Sequence, residues 1–175
     1  MNLRKYLPIE NFTLTTSLTL EQIIKRLENN VELKKKSFFY NSNRNSEKPF
    51  EGFIKNNLFV INRIINYQNS FLPIISGEII DNLEQPILKI NMRLSKFTGI
   101  FISFWLGIVS IVCFILLLFG ILSIKHLLKS GFSPFLLIPF VMLIFGFALT
   151  FFAFKHESKI AKRFLIDMLK AKEVE

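Results

Sequence analysis

Residues 97–124 read FTGIFISFWLGIVSIVCFILLLFGILSI, a run of 28 residues without a charged side chain. A second run, residues 130–154, reads SGFSPFLLIPFVMLIFGFALTFFAF and is uncharged over 25 residues. A helix needs roughly 20 apolar residues to cross the hydrocarbon core of a bilayer, which is about 30 Å thick. Both runs therefore predict transmembrane helices. Together they exclude a purely soluble protein, a disordered chain and a secreted disulfide scaffold.

Only residues 125–129 separate the two runs, so the predicted helices form a tight antiparallel hairpin. Nine basic residues lie near the membrane on the side of the two termini, whereas the connection carries Lys125 and Lys129. The nine are Lys89, Arg93, Lys96, Lys155, Lys159, Lys162, Arg163, Lys170 and Lys172. Because basic loops stay in the cytoplasm, this count predicts an integral protein of the cytoplasmic (inner) membrane with both termini in the cytoplasm.

The two runs divide the chain into five predicted segments. We expect a cytoplasmic α+β domain over residues 1–96, a transmembrane helix over 97–124, a short loop over 125–129, a second transmembrane helix over 130–154 and an amphipathic cytoplasmic tail over 155–175. The tail has three possible places: in the membrane interface, on the N-terminal domain, or in line with the second span. We expect a helix that stabilises the cytoplasmic side.

The segment before the first run has the pattern of a small sheet with one helix. Residues 19–22, Thr-Leu-Glu-Gln, match a capping box, and the apolar residues that follow share one helical face. Residues 50–94 read as an antiparallel β-meander with a turn at Asn56-Asn57. In its last strand Leu88, Ile90 and Met92 alternate with polar residues. We therefore predict an antiparallel sheet with one solvated face and one face under the helix.

Few residues in the chain suit catalysis or metal binding. The single cysteine, Cys113, cannot form an internal disulfide, and the hairpin places His126 and His156 at opposite membrane edges. Neither run contains a charged residue of the kind that ion pathways need. The longest basic run is Lys34-Lys35-Lys36, despite a net charge of +9. We therefore predict no catalytic residues, metal, cofactor or nucleic-acid partner, and a basic surface suited to anionic lipid.

The best candidate for a recognition site is the loop Tyr67-Gln68-Asn69-Ser70-Phe71-Leu72-Pro73 together with the preceding Arg63. A loop rich in hydrogen-bonding side chains at one end of a sheet is a common place for binding. The predicted binding residues are Arg63, Tyr67, Asn69 and Ser70. The alternative is structural: Asn69 and Ser70 build the turn, and Tyr67 covers the core.

Small residues recur at four-residue spacing in the apolar runs. Gly99, Ser103 and Gly107 share one face of the first helix, and Gly146 is related to Thr150 in the second. Such residues let helices approach closely. Packing of the hairpin on itself is the first explanation, and homo-oligomerisation or docking to another membrane protein is the alternative.

A longer pattern resembles a family of small uncharacterised bacterial membrane proteins. It consists of KPFEG at 48–52, FVINRIINYQNSFLP at 59–73, Gly77, and MRL at 92–94 ahead of a Trp-containing span. The resemblance covers about residues 48–110 and implies the same order, a β-rich domain followed by two spans. Members of that family often have Arg where Gln68 stands and a Gly-Thr turn in place of Glu84-Gln85. The resemblance implies no activity.

These patterns favour a membrane-anchored, non-catalytic interaction or ligand-sensing module, held at the cytoplasmic face by a helical hairpin. The first alternative is a subunit of a larger membrane complex that packs through its spans. The second is an enzyme acting on a lipid or small molecule through Tyr67, Asn69 and Ser70. The expected partners are the lipid bilayer and a membrane protein or a second copy of the chain.

Overall fold

A computed structural model describes residues 7–33, 47–82, 85–122 and 133–174. In chain order the elements are β1 (Ile9–Thr16), α1 (Leu20–Asn30), β2 (Val31–Leu33), β3 (Phe50–Lys55), β4 (Leu58–Arg63), β5 (Ile74–Ile80), β6 (Ile87–Arg93), α2 (Lys96–Leu122), a 3-10 turn (Pro134–Leu137), α3 (Ile138–Leu169) and β7 (Ala171–Val174). The predicted 125–129 loop and the last two residues of the first predicted span lie outside the described residues. The α+β class is confirmed.

The chain forms two compact units. The sheet unit comprises Met1–Ser95 and Ala153–Glu175, and the apolar unit comprises Lys96–Phe152. α3 contributes residues to both, since it is one helix of 32 residues.

In the described part of the chain the sheet has seven strands, in the order β2-β3-β4-β5-β6-β1-β7. Strands β3 to β6 form the predicted antiparallel meander, and Asn56 takes a left-handed conformation, with φ of 52°, in the turn between β3 and β4. β1, β2 and β7 lie outside this meander. β2 pairs with β3 in parallel, so the sheet is not wholly antiparallel, and β7 pairs with the outer edge of β1.

One face of the sheet, here the inner face, is apolar and buried. Its side chains alternate along the strands as the sequence predicts, and the central ones are Leu14, Phe59, Ile61, Ile75, Leu88 and Met92, each at most 1% exposed. The ring of Phe59 lies across Gly77 on the neighbouring strand. A Cβ at Gly77 would overlap that ring, so a glycine is required there.

Two helices cover the inner face: α1, as predicted, and part of α3, for which packing on the N-terminal domain was one of the three expected places. α1 buries Ile23 and Leu27, and its capping box is confirmed: Gln22 N donates to Thr19 Oγ1 over 3.3 Å and Thr19 N donates to Gln22 Oε1 over 3.1 Å. The second cover is the C-terminal half of α3. It buries Phe154, Ala161, Leu165 and Leu169 completely. Phe164 on the same half meets the Phe50 ring edge-on, at 5.1 Å between centroids.

The predicted boundary between a span at 130–154 and a tail at 155–175 lies inside α3, and continuation of the second helix was one of the three places expected for the tail. α3 continues through that boundary to Leu169, and β7 follows it. Of the three places considered for the tail, the chain thus combines continuation of the second helix with packing on the sheet. The end of α3 is held by two other elements: Arg26 Nη1 donates to Met168 O over 2.6 Å, and Thr16 Oγ1 donates to Leu169 O over 2.7 Å.

The apolar unit consists of α2, the 3-10 turn and the first half of α3. By length and composition, both helices are sufficient to cross a membrane. Their apolar side chains are largely exposed, as at Phe101 and Phe104 on α2 and at Ile144 and Phe145 on α3. Water is a poor solvent for such a surface, which suits a hydrocarbon environment.

Candidate functional site

Arg63, the first predicted site residue, lies at the end of β4 on the inner face of the sheet. It is the register partner of Phe50 on β3, and side chains of directly paired residues point to the same face. Its side chain is only 15% exposed. An arginine in this position needs a carboxylate or several acceptors nearby, because an unpaired buried charge is costly.

Tyr67 and Asn69 lie in the connection between β4 and β5, residues 64–73, here called the β4–β5 loop. Asn69 Oδ1 accepts a 2.9 Å hydrogen bond from Phe71 N, which builds a local turn of the kind predicted as the structural alternative. This bond fixes the Asn69 side chain and leaves its Nδ2 free to donate elsewhere. Ser70 is exposed on the same loop.

Arg63, Tyr67 and Asn69 converge on Glu157 of α3. Glu157 Oε1 accepts from Tyr67 OH over 2.7 Å and from Asn69 Nδ2 over 2.9 Å. Glu157 Oε2 lies 3.2 Å from Arg63 Nη1. Arg63 Nη2 in turn donates to Tyr67 OH over 3.4 Å. We call these four residues the Glu157 cluster; Ser70 takes no part in it.

The environment of Glu157 explains the electrostatics of the cluster. Its side chain is 4% exposed, so the carboxylate depends on its protein partners. The hydrogen bond to Glu157 is the main cause that raises the pKa of Tyr67, and desolvation and the negative charge of Glu157 act in the same direction. Arg63 opposes them. Tyr67 is therefore held as a neutral phenol that donates a hydrogen bond to the carboxylate.

Sequence reasoning did not identify Glu157. One signal was available: Glu157 interrupts the stripe formed by Phe154, Ala161 and Leu165, whose spacing is that of a buried helix face. A carboxylate on such a stripe requires a cationic or hydrogen-bonding partner across the interface.

Tyr67 OH and Asn69 Nδ2 already donate to a carboxylate of the same chain, and Arg63 forms an ion pair with it. This geometry fixes the β4–β5 loop to α3, and it gives Tyr67 and Asn69 a structural task. In the parts of the chain that the structure describes, no three His, Cys, Asp or Glu residues are grouped as a metal site would require.

A second ionic group lies on the other flank of α3. Lys155 Nζ is 3.4 Å from Glu10 Oε2, and Lys162 Nζ is 3.6 Å from Glu10 Oε1 and 2.6 Å from Glu173 Oε1. Lys162 Nζ also lies 4.4 Å from the centroid of the Phe12 ring. This group, the Glu10 cluster, is more exposed than the Glu157 cluster, since side-chain exposure ranges from 20% to 44%.

The opposite face of the sheet, here the outer face, is open. It contains a depression of about 560 Å³ that spans β1, β6, β5 and β4. Polar side chains line its centre, where Asn91 Nδ2 donates to Asn11 Oδ1 and Ser76 lies on the next strand. Apolar side chains line one side, with Leu58 at 57% and Val60 at 44% exposure. The depression thus combines hydrogen-bonding groups with an apolar wall.

The predicted helix-packing residues fall into two groups. A Cβ at Gly146 would overlap the Trp105 ring, so Gly146 permits the close approach of α3 to α2. Gly99 and Gly107 face open space, with nothing within 4 Å of a Cβ placed there, and Ser103 is exposed. The explanation that this stripe packs the hairpin on itself therefore does not hold for the described residues.

Comparison of the chain with protein families, with curated proteins and with solved structures finds no match in any of the three. The resemblance to the family of two-span bacterial proteins stays a prediction.

Proposed function

We propose that the chain is a membrane-anchored, non-catalytic interaction or ligand-sensing module, held at the cytoplasmic face of the inner membrane by α2 and the first half of α3. The open outer face of the sheet, with its depression of about 560 Å³, is the observation that carries this proposal. The polar side chains on the covered side, in contrast, are already paired with one another around Glu157.

The anchor is supported by the surface of the apolar unit. Its two helices expose large apolar side chains over most of their length, and lipid solvates such side chains at no cost to backbone hydrogen bonding. The distribution of Lys and Arg along the sequence supports cytoplasmic termini.

The composition of the outer-face depression supports recognition of an amphipathic ligand or partner surface. Asn11, Asn91 and Ser76 supply donors and acceptors, and Leu58 and Val60 supply apolar contact. Binding sites typically combine a mainly apolar lining with a few polar groups that fix orientation. Glu78 and Lys89, which are register partners of opposite charge on β5 and β6, also line the depression.

Native mass spectrometry of the protein, extracted gently from its own membranes, tests the proposal. Val60→Glu places a charge in the depression, and Ile160→Glu places the same charge at an exposed position of α3 outside it. A bound molecule that is present with the unchanged protein and with Ile160→Glu, and lost with Val60→Glu, supports the proposal. A bound molecule that Val60→Glu retains places recognition elsewhere, and bare protein in every sample contradicts a binding module.

A second candidate, a subunit of a larger membrane complex, is favoured by the exposed stripe of Gly99, Ser103 and Gly107 on α2. Small residues at this spacing serve close helix contact. Gly107→Leu would block such a contact, and Ile108→Leu on the neighbouring exposed position is the matched control. A packing subunit loses its partner in Gly107→Leu, and a module that binds through its sheet keeps it.

A further inference from the structure

We propose that the Glu157 cluster is a latch that links the position of α3 to the β4–β5 loop, so that displacement of the helix releases the loop. The inference extends the proposed function, because it rests on α3 being anchored in a bilayer. It concerns how a module of this kind passes a change in the membrane-embedded half of its helix to its surface.

α3 is a continuous helix. The helix has no break between Ile138 and Leu169, although its first half is exposed and apolar and its second half is buried against the sheet. Its backbone hydrogen bonds therefore run without interruption from the apolar half to Glu157, with a rise of about 1.5 Å per residue. A force on the apolar half is therefore delivered to Glu157, which lies one turn after Phe154.

The β4–β5 loop is attached to α3 through two of its side chains. Its central residues are tied to the rest of the protein by Tyr67 and Asn69, and both donate to the same oxygen, Glu157 Oε1. The bond that Asn69 makes to Phe71 N lies within the loop itself and orders the turn. Removing Glu157 from its place thus removes both side-chain hydrogen bonds between the loop and α3, and it leaves Tyr67 with only the 3.4 Å bond from Arg63 Nη2.

The position of α3 along its axis decides whether the Glu157 cluster forms. The buried residues one turn before and one turn after Glu157 are Phe154 and Ala161, and neither can accept a hydrogen bond through its side chain. A slide of α3 by one turn, about 5.4 Å, would put one of them opposite Arg63 and leave the guanidinium unpaired. The latch is therefore closed in one register only.

One buried polar atom of α3 has no hydrogen bond when the helix is in this position. Ser158 is fully buried, and its Oγ has no hydrogen-bond partner among the described residues. Arg63 Nη1 and Glu157 Oε2 form an ion pair but lack hydrogen-bond geometry. Buried polar atoms are normally satisfied. The present position of α3 thus leaves the Ser158 hydroxyl on its buried face without a hydrogen bond among the described residues.

Hydrogen exchange of the full-length protein in phosphatidylcholine–phosphatidylglycerol nanodiscs tests the latch. Glu157→Gln keeps the size of the side chain, removes the charge that pairs with Arg63 and leaves Tyr67 and Asn69 a neutral, weaker acceptor. Glu173→Gln makes the same change in the Glu10 cluster. We expect amide exchange in residues 66–71 to rise at least tenfold in Glu157→Gln and to stay within twofold in Glu173→Gln. Exchange that stays within twofold in Glu157→Gln overturns the latch.

Tyr67→Phe keeps the test decisive if Glu157→Gln does not fold. It removes one of the two attachments without changing a charge, so loop exchange should rise several-fold. An unchanged loop in Tyr67→Phe overturns the proposal in that case.

The link to the helix is tested by varying bilayer thickness with phospholipids of increasing chain length, because hydrophobic mismatch tilts or shifts a spanning helix. Loop exchange should change with thickness in the unchanged protein and be insensitive to it in Glu157→Gln. A flat response in the unchanged protein overturns the link and leaves a static attachment. Flotation of the protein with lipid vesicles tests the membrane anchor separately. A protein that does not float contradicts both the proposed function and the link to the helix. Hydrogen exchange of Glu157→Gln in detergent then still tests whether Glu157 holds the loop.

Discussion

The two halves of α3 have the same secondary structure and opposite surroundings. In the first half Val141, Ile144 and Phe145 are 61%, 70% and 66% exposed, and in the second half Phe154, Leu165 and Leu169 are fully buried. The first half is apolar around its whole circumference, whereas the second carries one apolar stripe among charged residues. A helix that is apolar all round suits lipid, and a helix with one stripe suits a protein surface.

A change of composition thus marks a change of solvent along α3 and need not mark the end of a helix. The first charged residue after the apolar run is Lys155, and neither glycine nor proline follows it before Leu169. With no helix breaker present, the backbone continues and only the partner of the side chains changes.

The largest expected effect comes from the charge on the buried stripe. Glu157→Leu leaves Arg63 buried without its carboxylate, and we expect a loss of about 3–5 kcal/mol in the free energy of unfolding of the sheet unit. Urea unfolding followed by circular dichroism measures this. In the double variant with Arg63→Met most of the loss should be recovered, and simple addition of the two single losses would contradict the pairing.

Next in size is the apolar stripe itself. Leu165→Ala opens a cavity under the sheet, with an expected loss of roughly 2–5 kcal/mol. Ile144→Ala removes the same number of apolar atoms from the exposed half and should leave the sheet unit within about 0.5 kcal/mol of its original stability, as surface changes usually do. Equal losses from the two substitutions would show that the halves do not differ in their surroundings.

A smaller effect is expected for Tyr67. Its pKa is raised above the ordinary value of 10.0, mainly by the hydrogen bond to Glu157, so the folded state keeps the phenol proton at a pH where the unfolded chain releases it. The stability that this proton provides is complete below about pH 10 and is lost as the pH rises through the folded pKa. Unfolding measured from pH 9 to pH 11 should show this fall, and Tyr67→Phe should reduce it. An identical fall in Tyr67→Phe would assign it to other groups.

The smallest effect is expected in the Glu10 cluster. Its side chains are partly exposed, so Lys162→Met should change the free energy of unfolding by about 1 kcal/mol or less, and salt should reduce the difference further. Urea unfolding at low and high salt measures both. A loss as large as that of Glu157→Leu would mean that burial does not separate the two flanks of α3.

The sequence predicts those parts of the fold that repeat a short pattern. Alternation in residues 87–93 and the capping box at Thr19 are local signals, and both lead to the observed elements. β7 has no such signal, because Lys172 and Glu173 at an exposed edge do not form an apolar pattern. Its pairing with β1 depends on where α3 ends, and tertiary packing determines that position.

The sequence identified the residues of the candidate site on β4 and the β4–β5 loop, but not the residue on α3. Arg63, Tyr67 and Asn69 lie close in sequence, and their loop was identified from composition. Glu157 is 90 residues away from Tyr67, and its place depends on the rotation of α3 against the sheet. The stripe at Gly99 and Gly107 shows the same limit: spacing places its residues on one face, but it does not say which face meets a neighbour.

Cysteine labelling of α3 in native membranes tests most directly whether its two halves have different solvents. In a Cys113→Ala background, Ile144→Cys reports on the first half and Ile160→Cys on the second, and both positions are exposed in the structure. With a membrane-impermeant maleimide, Ile160→Cys should react in inverted vesicles and not in intact cells, and Ile144→Cys should react in neither until the membrane is dissolved. Rapid labelling of Ile144→Cys in intact membranes, or of Ile160→Cys in intact cells, would contradict the account.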